Sequence, residues 1–291
     1  MAVYVNTNVS SLNGRRYLNN VQNQLTTTYQ RLSSGLRINS AKDDAAGLQI
    51  SSRLTTQING LNQGNRNSSD GIALAQTIEG AMDETTNMLQ KIRTLAVQSA
   101  NGTNTAEDRA ALAKEAQAMA DEINRIAKST KFGGKTVLDG ANADSIYGGA
   151  AAESGKLTLQ VGANKGDTIT FEVKNGILSK MNGMAAVMDN GKLKLADATQ
   201  ASAMIDAIDK AIAESDGKRA DLGALQNRLE SSIRNQANVS ANQSDARSRI
   251  RDADFAEESA NLSQQSIIQQ AATSMLMQAN TRPQLGLSLL G

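Results

Sequence analysis

Apolar residues recur at helical spacing over about 55 residues, and this pattern constrains the fold more than any other feature of the chain. Leu54, Ile58 and Leu61 open the run, and Ile72, Ala75, Ile78, Met82, Leu89, Ile92 and Ala96 continue it, mostly at steps of three and four that mark one helix face. Unbroken, such a helix measures roughly 80 Å at 1.5 Å per residue. Gly60, Gly64 and Gly71 fall in its middle. Each costs about 1 kcal/mol relative to alanine in a helix interior, which predicts a bend there.

The segments on either side repeat the pattern. Leu18, Val21, Leu25, Tyr29 and Leu32 mark a first helix. The stretch RLSSGLRINSAKDDAAGLQI, Arg31 to Ile50, follows as a joint loosened by Gly35 and Gly47. Within it Ser40, Asp43 and Asp44 form a helix N-terminal signature, because short polar side chains accept orphan N–H bonds and carboxylates suit the positive end of the dipole. They predict a restart near Ala41. SANGTNTAED then punctuates the chain, with Gly102 as a C-terminal cap and Thr105 opening a capping pattern before Asp108. Leu112, Ala116, Met119, Ile123 and Ile126 mark a third helix, antiparallel to the second. Residues 131 to 198 change character: LTLQV and TITFEV alternate around GANKGD and predict a β-hairpin, with a looser third strand at LKLAD. Helix returns near Ser202, with Ile205, Ile208, Ile212, Leu222, Leu225, Leu229 and Ile233 carrying a stripe to about Ile250, and a last segment runs from Phe255 to Asn280. The fold class is therefore mainly α, an elongated antiparallel helical bundle or coiled coil built from both chain halves, with a small β-hairpin region in the middle.

Composition agrees with long, closely packed helices. Aromatic residues make up 2% of the chain, and there is no tryptophan and one proline. A net charge of +1 leaves no electrostatic footprint for nucleic acid or an anionic membrane. No run of about 18 apolar residues exists to span a bilayer. The first residues lack the basic and apolar regions of a secretory signal, so the expectation is retention or a signal-less exit. Absence of cysteine removes disulfides and thiolate chemistry, and absence of histidine removes the commonest general base and the usual zinc ligand.

The two ends look incomplete and complementary. Residues 1 to 40 carry Arg15, Arg16, Arg31 and Arg37 and no acid, whereas the chain from 251 carries Asp252, Asp254, Glu257 and Glu258. Met275, Leu276 and Met277 are successive, about 100° apart each, and cannot all face one partner. Pairing the termini leaves apolar surface for other copies, and heterologous contacts that do not close make filaments.

RLSSGLRINSAKDDAAGL, LQKIRTLAVQSANGTNT, ADLGALQNRLESSI, RSRIRDADFAEESANLS, QQAATSMLMQAN and LSLLG resemble bacterial flagellin, over about residues 1 to 140 and 200 to 291. The resemblance implies a short form without the large outer domains, which polymerises into the flagellar filament and has no catalytic residues, metal or cofactor. Residues 1–42 plus 251–291 would form the inner terminal coiled coil, disordered in the monomer and ordered on polymerisation. Residues 43–140 plus 200–250 would form a helical rod domain, and 141–199 its β-hairpin region or a minimal outer insert. Its polymerisation interface would include Leu18, Val21, Leu25, Leu32, Ile268, Met275, Leu276 and Leu289. Gly35, Arg37, Asn39 and Lys42 would belong to the spoke joint, with RSRIRDADFAEE as its return strand; Gly35 to Lys42 would be non-helical in the filament and ordered by neighbouring subunits.

Implied partners are other flagellin copies, an export chaperone and the type III export apparatus, hook-associated and cap proteins, and Toll-like receptor 5, with no nucleic acid and no membrane. The implied location is the extracellular filament, reached without a cleaved signal peptide. Leu95 and Glu115 match receptor-recognition residues, and Lys91 stands where arginine is usual, keeping the charge and losing the planar fork. Leu95 also belongs to the helix stripe. A hook-filament junction protein with similar termini is the alternative.

Other motifs lead nowhere. GGKT at Gly133 to Thr136 lacks the earlier glycine of a phosphate loop, since position 129 is Ser129, and reads as a turn. Asp252 and Asp254 imitate a calcium loop, yet Glu257 stands where glycine is required. The Asn-x-Ser/Thr triplets are what chance supplies in so Asn- and Ser-rich a chain, and the inserted zinc protease of some flagellins needs histidines.

Overall fold

The computed structural model describes residues 7–140, 145–146, 154–189 and 191–288, with side chains undescribed at Ser154, Lys174 and 282–288. The chain forms two compact units, one of residues 1–58 with 241–291 and the other of residues 59–240.

In the first unit, α1 (Val9–Ser34) starts at Asn8, whose side chain accepts from Ser11 N–H, and ends at Gly35. Gly35 adopts φ 70°, the left-handed conformation glycine reaches without a Cβ penalty, and donates its N–H to Arg31 O at 2.8 Å. Residues 35–44 are non-helical in the single chain. Contacts within the chain hold them: Leu36 bridges Asp252, Arg37 N–H donates to Arg251 O at 2.7 Å, Ala253 N–H donates to Gly35 O at 3.0 Å, and Ile38 is buried.

The expected return strand RSRIRDADFAEE shrinks to three residues. Helix α5 (Ala198–Arg251) runs through RSRIR, and α6 (Phe255–Ser288) begins right after Asp254. RSRIR has neither glycine nor proline to stop a helix, and Asp254 accepts from Ala256 N–H at 2.9 Å, starting the next one. The restart of the second helix also moves. Asp43 accepts from the N–H groups of Asn39 and Ser40 at 3.1 and 2.9 Å and holds a turn, and Asp44, accepting from Gly47 N–H, caps α2 (Ala45–Ala100). The bonds from Ser40 hold the Asp43 carboxyl below its ordinary value.

Helix α2 is continuous, so the three glycines do not break it. They give clearance. In the second unit, β3 (Ser154–Gln160) and β4 (Thr168–Lys174) pair antiparallel with Leu157 opposite Phe171 and Leu159 opposite Ile169. That register puts the alternating apolar residues of both strands on one face. A Cβ at Gly64 would lie 2.8 Å from the Val161 carbonyl carbon and closer still to its oxygen; one at Gly60 would meet Ala163 at 2.7 Å and one at Gly71 would meet Leu159 at 2.5 Å. The hairpin is fastened there by Asn67 Nδ2 to Gln160 O at 2.8 Å and by the Gln236 amide to Val161 O.

Helix α3 (Ala106–Ser129) opens with a capping box between Thr105 and Asp108. Gly102 does not adopt the left-handed conformation expected of a C-terminal cap. The turn after β1 (Lys131–Phe132) carries Gly133 and Gly134 at φ 58° and 84° before β2 (Lys135–Thr136), so GGKT is a hairpin turn. LKLAD does not join β3 and β4. Its β6 (Lys192–Leu193) pairs with β5 (Met188–Asp189), after the short α4 (Met184–Val187). Across the unit α2 and α5 run antiparallel, tied by Glu79 with Gln226, Asp83 with Arg219, a buried Thr86–Ser215 hydroxyl pair at 2.9 Å, and Arg93 with Asp209. One core joins Leu89, Ile92, Ala120, Ile123, Met204 and Ile208; a second joins Leu74, Ile78, Val161, Val173, Leu225 and Leu229. Alanines at 96, 116, 120, 207 and 211 keep the helices close.

Candidate functional site

The first unit contains the surface that asks for a partner. Helices α1 and α6 pair antiparallel: Asn8 Nδ2 donates to Ala279 O at 2.8 Å, Thr28 Oγ1 to Gln265 Oε1 at 3.2 Å, and Arg31 Nη1 to Glu258 Oε1 at 2.9 Å. Their seam is narrow. Val21, Leu25, Thr28 and Ala272 are buried in it, and Glu258 is 7% exposed beneath Arg31.

Beyond the seam large apolar side chains stand in solvent. Val9, Leu12, Tyr17, Tyr29, Phe255, Ile267, Met275 and Met277 are each more than half exposed. An open groove of about 890 Å³ between the helices is lined by Asn13, Gly14, Tyr17, Ile268, Ala272 and Met275. A single exposed apolar residue is ordinary, whereas eight large ones on one helix pair point to surface that a partner covers.

Sequence-derived interface residues divide accordingly. Val21 and Leu25 hold α1 against α6; Leu18, Leu32, Ile268 and Leu276 are half-buried at the seam's edge; Met275 faces outward; Leu289 lies outside the described residues. The stripe reading missed Leu12, Tyr17 and Ile267, because helical spacing picks out the side chains turned to the partner helix and these three lie off that stripe, exposed. Tyr29, placed on the seam stripe, turns outward at 58% exposure.

In the spoke joint Arg37 donates to Ile250 O at 2.7 Å and Asn39 to Leu36 O at 3.2 Å, while Lys42 is exposed. In the second unit Lys91 and Leu95 lie one turn apart on α2, Leu95 half-buried against the core and Lys91 exposed; Glu115 is exposed on α3. Among the described residues no ion pair joins Lys91 to Glu115. Arg93 makes a two-pronged bond to Asp209 at 2.6 and 3.1 Å, which holds the Asp209 carboxyl below its ordinary value. No group of acidic side chains that could hold a metal ion occurs among the described residues.

Two helices from opposite ends of the chain, joined by a thin seam and carrying large apolar side chains that the chain itself leaves exposed, have the make-up of a self-assembling helical subunit. Residues 5–143 match the bacterial flagellin N-terminal helical region and residues 205–290 the bacterial flagellin C-terminal helical region. Flagellin A of Vibrio anguillarum is 38% identical over 378 aligned positions, covering all of both chains, and flagellin B of Vibrio cholerae serotype O1 is 38% identical over 376, also covering all of both. Among solved structures, a chain from Vibrio parahaemolyticus described as a flagellar hook-associated protein aligns with a TM-score of 0.58 at 18% identity, over 72% of this chain and 100% of that one. That likeness concerns the fold alone. The chain belongs to the bacterial flagellin family, as a short form lacking the large outer domains. It is a structural subunit of the flagellar filament, outside the cell; identity along the whole length favours the repeating subunit over the junction protein.

Proposed function

We propose that α1 and α6 form the inner coiled coil of the filament, residues 1–42 with 251–291, and that neighbouring copies pack on their exposed apolar side chains. The observation that carries this is the contrast between the thin seam and the eight large apolar side chains left exposed on the two helices. Residues 43–140 with 200–250 serve as the helical rod domain, and 141–199 as its hairpin region. The joint at Gly35, Arg37, Asn39 and Lys42 links the rod to the coil. The protein works by assembly and performs no catalysis.

A polymerisation assay tests this. Purified chain extends filament seeds, and chain lacking residues 1–40 or 252–291 does not. Ile267→Asp, on an outward position 66% exposed, lowers elongation by about tenfold or more while monomer stability stays within about 0.5 kcal/mol. Normal elongation of both truncations would sink the coil assignment.

Before assembly the chain leaves through the flagellar export apparatus, its C-terminal helix held by a chaperone, and in the filament it meets hook-associated and cap proteins. As monomer it presents Lys91, Leu95 and Glu115 to Toll-like receptor 5, weakened by lysine at 91. Reporter-cell activation by monomer falls for Leu95→Ala and Glu115→Ala. Because Leu95 packs on the core, its variant is compared at equal folded fraction, and unchanged potency of both variants refutes the assignment.

A further inference from the structure

The methionines are sorted by exposure. Met82, Met181, Met184, Met188 and Met204 are buried in the second unit at 8% exposure or less, and Met88 and Met119 pack partly against its core. Met275 and Met277 are 72% and 62% exposed, and both belong to α6.

Local geometry explains the pair. Leu276, between them, is turned onto α1 at Gly14, where even a Cβ would come within 3.2 Å of Leu276 Cδ1. Seating Leu276 there swings its neighbours about 100° to either side. Met275 is left lining the groove between α1 and α6, and Met277 stands free of it.

We infer that Met275 and Met277 are an oxidation-sensitive site that controls whether a monomer can add to a filament; this rests on the assembly reading above. Peroxide attack on a thioether transfers one oxygen. The O–O bond breaks, a sulfur–oxygen bond forms, sulfur loses two electrons to the peroxide, and water leaves. An apolar, flexible side chain becomes a polar sulfoxide, and methionine sulfoxide reductases reverse the change. Susceptibility follows access, so this pair reacts first while the buried methionines are spared. Burying a sulfoxide oxygen against an apolar neighbour leaves it without a hydrogen-bond donor and disfavours addition. Once packed, the same side chains are shielded.

Limited hydrogen peroxide treatment of full-length monomer and of finished filaments, with peptide mapping and seeded elongation, tests this. In monomer, Met275 and Met277 gain one oxygen before the buried methionines, and elongation falls by roughly tenfold or more for the cost of an unpartnered polar group. Reductase treatment restores it. The double variant Met275→Leu, Met277→Leu, close in volume, elongates equally with or without peroxide. Oxidised wild type elongating at the untreated rate, or failing to recover after reduction, overturns the inference. In filaments the two residues stay unoxidised; equal oxidation of monomer and filament would instead overturn the placement of this face at the subunit interface.

Discussion

Substituting alanine at two glycines of α2 should change stability in opposite directions. At Gly80 nothing lies within 4 Å of a new Cβ, so Gly80→Ala gains the helix preference of alanine, about 1 kcal/mol. Gly64→Ala gains the same amount and meets an obstacle. The methyl would sit 2.8 Å from the Val161 carbonyl carbon and 3.1 Å from Gln236 Oε1. Backbone cannot rotate away as a side-chain tip can, so the hairpin must lift. Lifting strains the bonds from Gln236 to Val161 O and from Asn67 to Gln160 O, each worth about 1 kcal/mol. It also loosens Val161, buried at 7% exposure, and Leu159 over Gly71. Overpacking costs of about 1–3 kcal/mol are typical, so hydrogen-bond strain added to overpacking outweighs the helix gain and leaves a net loss of about 1–3 kcal/mol. Thermal unfolding followed by circular dichroism reads this as a fall of roughly 2–12 °C for Gly64→Ala and a rise of roughly 2–4 °C for Gly80→Ala, at 2–4 °C per kcal/mol for units of this size. Shifts of the same sign would refute the clearance role.

Two further outcomes follow from charged groups. Glu258→Ala should strip the Arg31 guanidinium of its partner at a seam where Glu258 is 7% exposed, loosening α1 from α6 by about 1–3 kcal/mol; amide exchange in both helices checks it, and unchanged protection would refute it. Asp108 is held below its ordinary value of 3.8, first by its bond from the Thr105 hydroxyl and then by the Thr105 N–H. A depressed carboxyl contributes stability that is complete above its unfolded value and is lost as pH falls through the folded one. The start of α3 should therefore fray below about pH 3.8, seen as faster exchange of its first amides, and Asp108→Asn should fray already at neutral pH.

Much of the fold was legible because it depends on period. The stripe from Leu54 to Ala96 specified α2, and the alternation of LTLQV against TITFEV specified a hairpin, whose register the structure supplies. What was illegible depended on neighbours distant in sequence. Gly60, Gly64 and Gly71 read as weaknesses because their reason, the end of β3 and the turn after it from Leu159 to Ala163, lies about a hundred positions away. Met181, Met184 and Leu195 belong to the core and sit in elements and turns too short to show a period. For the candidate site, apolar spacing located the helices, and only packing separated Val21 and Leu25 at the seam from Tyr17 and Ile267 outside it.

The bridge between Leu36 and Asp252 closes a loop of more than two hundred residues. By the logarithmic law of loop closure, each doubling of length costs only about 0.6 kcal/mol. Carrying the additional residues of relatives that align over 378 positions would therefore raise the entropy of joining the ends by only a few tenths of a kcal/mol. The fastening of the termini is almost indifferent to what lies between them. A lineage could thus lengthen or trim the middle of this chain freely while the assembling ends stay as they are.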